Sequence, residues 1–409
     1  MVADIDLSAA TFLLGPEQTF SPDQEKLAQA VMSFVRQHLP LADHAVFVIT
    51  GDAGTGKSAV LAHLFASLQT QARSGSGALA GTQNTLLVNH QEMLKIYQEV
   101  AGANPVLRKK DFMKPTPFIN AAHRSGSLTD VTFVDEGHLL LTEPDRYNRF
   151  DQTNQLAEII RASRVTVLVF DPHQVLKLKS YWDWPRLRTV LAPYPHTLFD
   201  LDTQFRVHSQ AAVQSWINAF TAGTIAPWPV HPGYDLRVFA DGTPLYQRIE
   251  QQDARYGLAR VLATADFPFT VFGPTKWYVT AGTLRLPWDK ISMTATPWAQ
   301  RPETLHEVGS IYTIQGFDLN YAGIILGPSV GYDPATRQVT VDVTRYQDNE
   351  AFKKRSDLPD LTAARAQIMR NAINVLCKRG RHGLYLYAVD PQLRAALLAA
   401  QAKGEDNGH

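Results

Sequence analysis

The feature that most limits what this chain can fold into is "AVFVITGDAGTGKSAVLAHLF", residues 45–65. The run 45–50 is apolar or β-favouring with no polar alternation, the pattern of a strand buried on both faces. GxxxxGK[ST] follows at 51–58, and then an apolar repeat of helical period. A strand, a glycine-rich loop and a helix in that order form a polyphosphate cradle. Gly51, Gly54 and Gly56 let backbone N–H groups close around phosphate oxygens where a side chain would collide, and Asp52, Ala53 and Thr55 complete the loop. Lys57 brings positive charge to the β- and γ-phosphates. Ser58 places a hydroxyl on Mg²⁺ at the first turn of the helix.

The same alternation recurs along the chain. "TLLVN" (85–89), "DVTFVD" (130–135), "VTVLVFD" (165–171) and "HTLFDL" (196–201) are strand-like runs separated by helical patterns. That alternation predicts an α/β class with parallel sheets covered on both faces. A Pro-rich stretch, "APWPVHPGYD", interrupts it. A second α/β block then runs from "RVLATAD" to "GLYLYAVD". The expected organisation is a first lobe over 1–205, a helical and Pro-rich connector over 206–255, a second lobe over 256–395 and a disordered tail over 396–409. Two lobes so joined leave a cleft between them. The 409 residues suit more than one domain. With 39 basic and 39 acidic residues a general polyanion coat is excluded, though a local basic groove is not. A single cysteine, Cys377, rules out an internal disulfide framework and fits a reducing, cytoplasmic setting. No run of 18 apolar residues occurs, so no membrane association is expected.

Further segments carry chemistry. In "VTFVDEGH" (131–138) an apolar strand ends in two carboxylates. Asp135 suits a Mg²⁺ contact, and Glu136 is placed to orient or deprotonate an attacking water. "VTVLVFDPHQ" (165–174) delivers Asp171 and Gln174 to the same sheet edge, where Gln174 can sense the γ-phosphate and that water. "DLDTQFRV" supplies Arg206, and "LCKRGRHGLYLY" supplies Lys378, Arg379 and Arg381 before the last strand. Arg379 is the candidate for a cation answering charge in phosphoryl transfer. Upstream, Phe20 and Gln24 in "FSPDQEKLAQAV" have the chemistry to stack on adenine and to bond its N6/N7 edge.

These segments, in this order, resemble the motifs of superfamily 1 helicases. The finer resemblance is to the Schlafen group 3-like DNA/RNA helicase domain family, a group of bacteria and phages. It is carried by "NQLAEIIRASRVTVLVFDPHQVL", "EVGSIYTIQGFDLNYAGIILGP" and "RNAINVLCKRGRHGLYLYAVD" and covers about 18–390. The resemblance implies two RecA-like P-loop NTPase lobes with ATP and Mg²⁺ in the cleft. It implies a Q motif at Phe20 and Gln24, Gln315 and Gly316 between the nucleotide and nucleic-acid sites, and Arg206 and Arg379 approaching the γ-phosphate. Two positions depart from the family pattern. Lys378 stands where a threonine is usual, and Gly137 replaces the alanine of DEAH, a small-for-small change.

A motor on single-stranded DNA or RNA needs cations and stacking rings. "KLKSYWDWPRLR" (177–188) offers both, whereas Lys109, Lys110 and the basic run at 353–355 read as solvated. The leading expectation is a nucleic-acid-dependent ATPase of helicase type. The alternative is an ATP-driven switch acting on a protein partner, such as a nuclease or toxin of an anti-phage complex.

Overall fold

The computed structural model describes residues 20–41, 44–51, 56–201, 208–229, 233–270, 276–288, 296–314, 317–353, 355 and 357–406. The chain divides into two compact units. One comprises Met1–Val175 with Lys179–Phe205, the other Leu176–Leu178 with Arg206–His409.

The first unit contains α1 (Pro22–His38), β1 (Ala45–Thr50), α2 (Lys57–Arg73), β2 (Asn84–Val88), α3 (Gln91–Ala103), β3 (Phe112–Met113), α4 (Pro115–Ser125), β4 (Thr129–Asp135), α5 (Gln155–Arg161), β5 (Ser163–Val169), α6 (Trp184–Leu191) and β6 (His196–Asp200). Helix α1 starts where the sequence can satisfy its free N–H groups. Ser21 accepts a bond from the Gln24 N–H, Pro22 opens the helix, and Asp23 and Glu25 lie in the first turn. The strands form one parallel sheet in the order β3-β2-β4-β5-β1-β6. β1, flanked by β5 and β6, explains the unbroken apolar run. Ala45, Phe47 and Ile49 join a core built with α1, α2 and α3. Val46 and Val48 join the core on the other face, with Phe118, Ile159 and Leu187 from α4, α5 and α6. Because successive side chains point to opposite faces, burial on both sides demands apolar residues at every position.

The second unit repeats this logic with α7 (His208–Ala222), β7 (Asp235–Val238), α8 (Gly242–Tyr256), β8 (Ala259–Ala263), β9 (Tyr278–Ala281), β10 (Leu284–Pro287), β11 (Val308–Gly309), α9 (Ile311–Ile314), β12 (Leu319–Leu326), β13 (Val330–Asp333), β14 (Gln338–Val341), α10 (Leu361–Cys377), β15 (Gly380–Ala388) and α11 (Pro391–Asp406). Five strands make a parallel sheet, β11-β8-β12-β15-β7. β9/β10 and β13/β14 are antiparallel hairpins. On β12, Ala322, Ile324 and Leu326 face the core shared with α7, α10 and α11, while Tyr321 and Ile325 face the core shared with α8 and the β9/β10 hairpin.

Two boundaries differ from the sequence reading. The segment 206–255, expected as a connector, supplies β7 and nearly all of α8, and β7 is hydrogen-bonded to β15. The tail expected from 396 is helical to Asp406, because Leu393 and Leu397 are fully buried and anchor α11 to the unit's core. Leu397→Ala should therefore destabilise the second unit by about 2–4 kcal/mol, read as a lowered thermal midpoint. An unchanged midpoint would mean that α11 is not packed.

Candidate functional site

In the first unit, β5 lies between β1 and β4, hydrogen-bonded to both. All three run parallel, so their carboxyl ends share one edge of the sheet. That edge is where ligands bind in open α/β sheets. From β1 the chain enters the glycine-rich loop. Gly51 (φ 147°) and Gly56 (φ 78°) hold backbone angles that a side chain disfavours. Residues 52–55, and with them Asp52, Ala53, Gly54 and Thr55, lie outside the described residues, as do Arg206, Gln315 and Gly316. Lys57 opens α2, buried, with Nζ donating to the Gly51 carbonyl at 2.6 Å.

From β4 comes Asp135, fully buried. Ser58 Oγ donates to its Oδ1 at 3.2 Å, and so does the Glu136 N–H at 3.0 Å. Tyr97 Oη on α3 donates to Oδ2 at 2.6 Å. Burial, and then the neighbouring Glu136 charge, push the Asp135 carboxyl up to about 6 despite these bonds. Tyr97 is held well above the usual phenol range by burial and by the same carboxylate. Glu136 itself is left-handed, φ 52° and ψ 48°, a conformation costly for a residue with a side chain and typical of functional sites. Its Oε2 lies 3.2 Å from Nε2 of His138, which is buried.

From β5 come Asp171 and Gln174. Gln174 Nε2 donates to Asp171 Oδ2 at 2.8 Å, and the His173 N–H to Oδ1 at 3.0 Å. Burial acts to raise the Asp171 carboxyl, but Lys57, His138 and the Gln174 bond outweigh it and hold it below its ordinary value. One edge thus brings together Lys57, Ser58, Asp135, Glu136, Asp171 and Gln174, all singled out in sequence.

Gly137 is not a small-for-small change. A Cβ there would stand 2.7 Å from the Val169 carbonyl and 2.3 Å from Leu168 Cδ1. The alanine of DEAH does not fit without moving the backbone of β5. Tyr97 is not a site residue in the sequence reading, and His138 enters it only as the last residue of DEGH. Tyr97 reads as one more apolar position of α3, with Leu94, Val100 and Ala101, and no spacing reveals where its hydroxyl points.

The remaining candidates have other contacts or change character. Phe20 packs edge-on against His63, ring centroids 4.7 Å apart, and Gln24 is buried in the first turn of α1. Arg379, in the second unit, is buried after α10, with Nη1 3.5 Å from the Phe317 carbonyl and 3.7 Å from Asp318. The stretch 177–188 is not a free stacking surface. Trp182 is buried with Nε1 donating to the Leu140 carbonyl, Trp184 packs on Phe170, and Lys179 pairs with Asp145. Arg355 is not solvated either, being buried and bonded to the Leu178 carbonyl and to Asp357.

A phosphate loop on an α/β sheet, followed by strand-end Asp135–Glu136, defines a P-loop NTPase fold. The chain belongs to the Schlafen group 3, DNA/RNA helicase domain family, whose description it matches over residues 44–390. It is 37% identical over 416 residues to the uncharacterized protein YPL245W of Saccharomyces cerevisiae, covering 94% of this chain and 92% of that protein. The family resemblance is therefore not confined to bacteria and phages. The crystal structure of Pif1 helicase from Candida albicans overlays with a TM-score of 0.37 at 13% identity, covering 95% of this chain and 100% of that one. Among the described residues no helix is long and apolar enough to cross a membrane.

The raised Asp135 carboxyl has a consequence for the metal-free protein. Its folded value, about 6, exceeds the ordinary 3.8. The folded state thus binds the extra proton between these values, and stability falls as pH rises from about 4 to 6. Asp135→Asn should flatten that slope and, in chelator at pH 7, raise stability by an amount on the order of 2 kcal/mol. Denaturant melts across this pH range check it, and an unchanged slope would contradict the assignment.

Proposed function

We propose that the protein hydrolyses ATP with Mg²⁺ at the first unit's phosphate loop, and that single-stranded nucleic acid governs the turnover. The observation that carries this reading is Glu136, in the αL conformation beside the buried Asp135 with its Oε2 3.2 Å from His138 Nε2. Ser58 and Asp135 fit a Mg²⁺ ion. Their hydroxyl and carboxylate oxygens are already 3.2 Å apart, and the buried carboxylate lies beside a second acid. An ion held there would take one carboxylate and complete its shell with phosphate and water. Bound there, Mg²⁺ would neutralise charge on the β- and γ-phosphates.

The chain's own residues do the rest. Lys57 and the backbone of the loop grip the phosphates. Glu136 orients the attacking water and takes its proton, while His138 fixes the carboxylate's direction. Gln174, steadied by Asp171, contacts the γ-phosphate. Arg206 and Arg379 contact the γ-phosphate, and Phe20 and Gln24 contact the base. Family membership supports nucleic acid as the governing ligand.

Steady-state phosphate release, with single-stranded DNA, duplex DNA and RNA each added, tests the reading. Glu136→Gln should bind ATP as the wild type does and lose about 10²- to 10⁴-fold in turnover. Undiminished hydrolysis would show that Glu136 is not the base. Wild-type turnover indifferent to every polynucleotide would replace the motor with a switch on a protein partner.

A further inference from the structure

A second feature lies on the strand-start edge of the second unit's sheet. A cavity of about 500 Å³ opens there, lined by Tyr234, Asp235, Arg237, Tyr256, Tyr321 and His382. Asp235 begins β7, Tyr321 and His382 lie within three residues of the starts of β12 and β15, and Tyr256 ends α8. Three rings line up across it. Tyr256 and Tyr321 have centroids 5.5 Å apart, and Tyr321 and His382 6.2 Å apart.

The strip is built into the fold. Tyr321 lies against the backbone of β15 at Gly383, where a Cβ would stand 2.5 Å from its ring. Tyr321 also stacks at 5.9 Å on Tyr385, which donates to Asp235. Tyr256 is 45% exposed, among the few large apolar side chains so presented. Arginines border the strip, Arg381 among them paired with Asp318. Arg255 sits 4.9 Å from the Tyr256 ring centroid, and Arg381 precedes His382. Asp235, the acid of the lining, is engaged by Arg237 and Arg248.

The exposed rings of Tyr256 and His382, both packed on the buried Tyr321 and bordered by arginines, match a ligand with a flat π-system and a negative charge. We infer that this strip binds an unpaired nucleobase together with its phosphate, at a site separate from the phosphate loop. Two sources share that chemistry, a mononucleotide and a single-stranded polynucleotide. A duplex hides its base faces and does not fit. The inference rests on the proposed function only for the polynucleotide source.

Fluorescence anisotropy of labelled oligothymidylate tests it, with wild type, Tyr256→Ala, Tyr256→Phe and Arg237→Ala. An arm with labelled AMP is run in a Lys57→Ala background, which removes the phosphate loop's grip. Tyr256→Ala should weaken binding about fivefold or more, Tyr256→Phe should restore it, and Arg237→Ala should weaken it and lessen its salt dependence. An abasic oligomer of equal length should bind wild type and Tyr256→Ala alike. Loss confined to the oligonucleotide arm assigns the polynucleotide source, and loss confined to the AMP arm the mononucleotide source. If wild type binds oligothymidylate and Tyr256→Ala binds equally in both arms, the inference falls while the proposed function stands, leaving a protein segment as the occupant to consider. If wild type binds neither probe, the inference falls, and the phosphate-release assay decides the proposed function separately.

Discussion

A carboxylate buried at the end of a central strand, next to a second carboxylate, is the constraint on which the first unit's site depends. Asp135 cannot be solvated, so its oxygens are met by Ser58 at the start of α2, by Tyr97 on α3 and by the Glu136 N–H. Those contacts tie the helix after the phosphate loop, the helix after β2 and the end of β4 into one assembly. A cation there would relieve the repulsion between Asp135 and Glu136, and a bound triphosphate would bring that cation. Folding and the proposed chemistry thus draw on the same electrostatic tension.

Backbone geometry serves this arrangement. Turning Glu136 into the left-handed region brings its carboxylate to His138, and Gly137 lets the following turn lie against β5 where a Cβ would strike the Val169 carbonyl. A residue that reads as an interchangeable small one is a steric requirement. Burial acts to raise the Asp171 carboxyl, but Lys57, His138 and the Gln174 bond keep this buried aspartate ionised.

Much of this was legible in the sequence because it follows from local rules. The continuous apolar run of 45–50 marks a strand buried on both faces, and the glycine-lysine-serine pattern marks the loop after it. Tyr97 was not legible, since its ring satisfies the apolar period of α3 and its hydroxyl acts across the fold. The basic-aromatic run 177–188 misled for the converse reason. Composition reports cations and rings, whereas Trp182 bonds Leu140 and Lys179 bonds Asp145 through contacts distant in sequence. The carboxyl-terminal helix was missed because its anchors, Leu393 and Leu397, precede a polar end that alone reads as a tail. Arg206, Gln315 and Gly316 rest on the resemblance.

In the proposed reaction Glu136 directs a water at the γ-phosphate of ATP gripped by Lys57 and Ser58. Hydrolysis in ¹⁸O-labelled water, with mass spectrometry of both products, tests it most directly. The label should enter inorganic phosphate, and ADP should stay unlabelled. Label in ADP, or the absence of any labelled phosphate with every polynucleotide supplied, would contradict it.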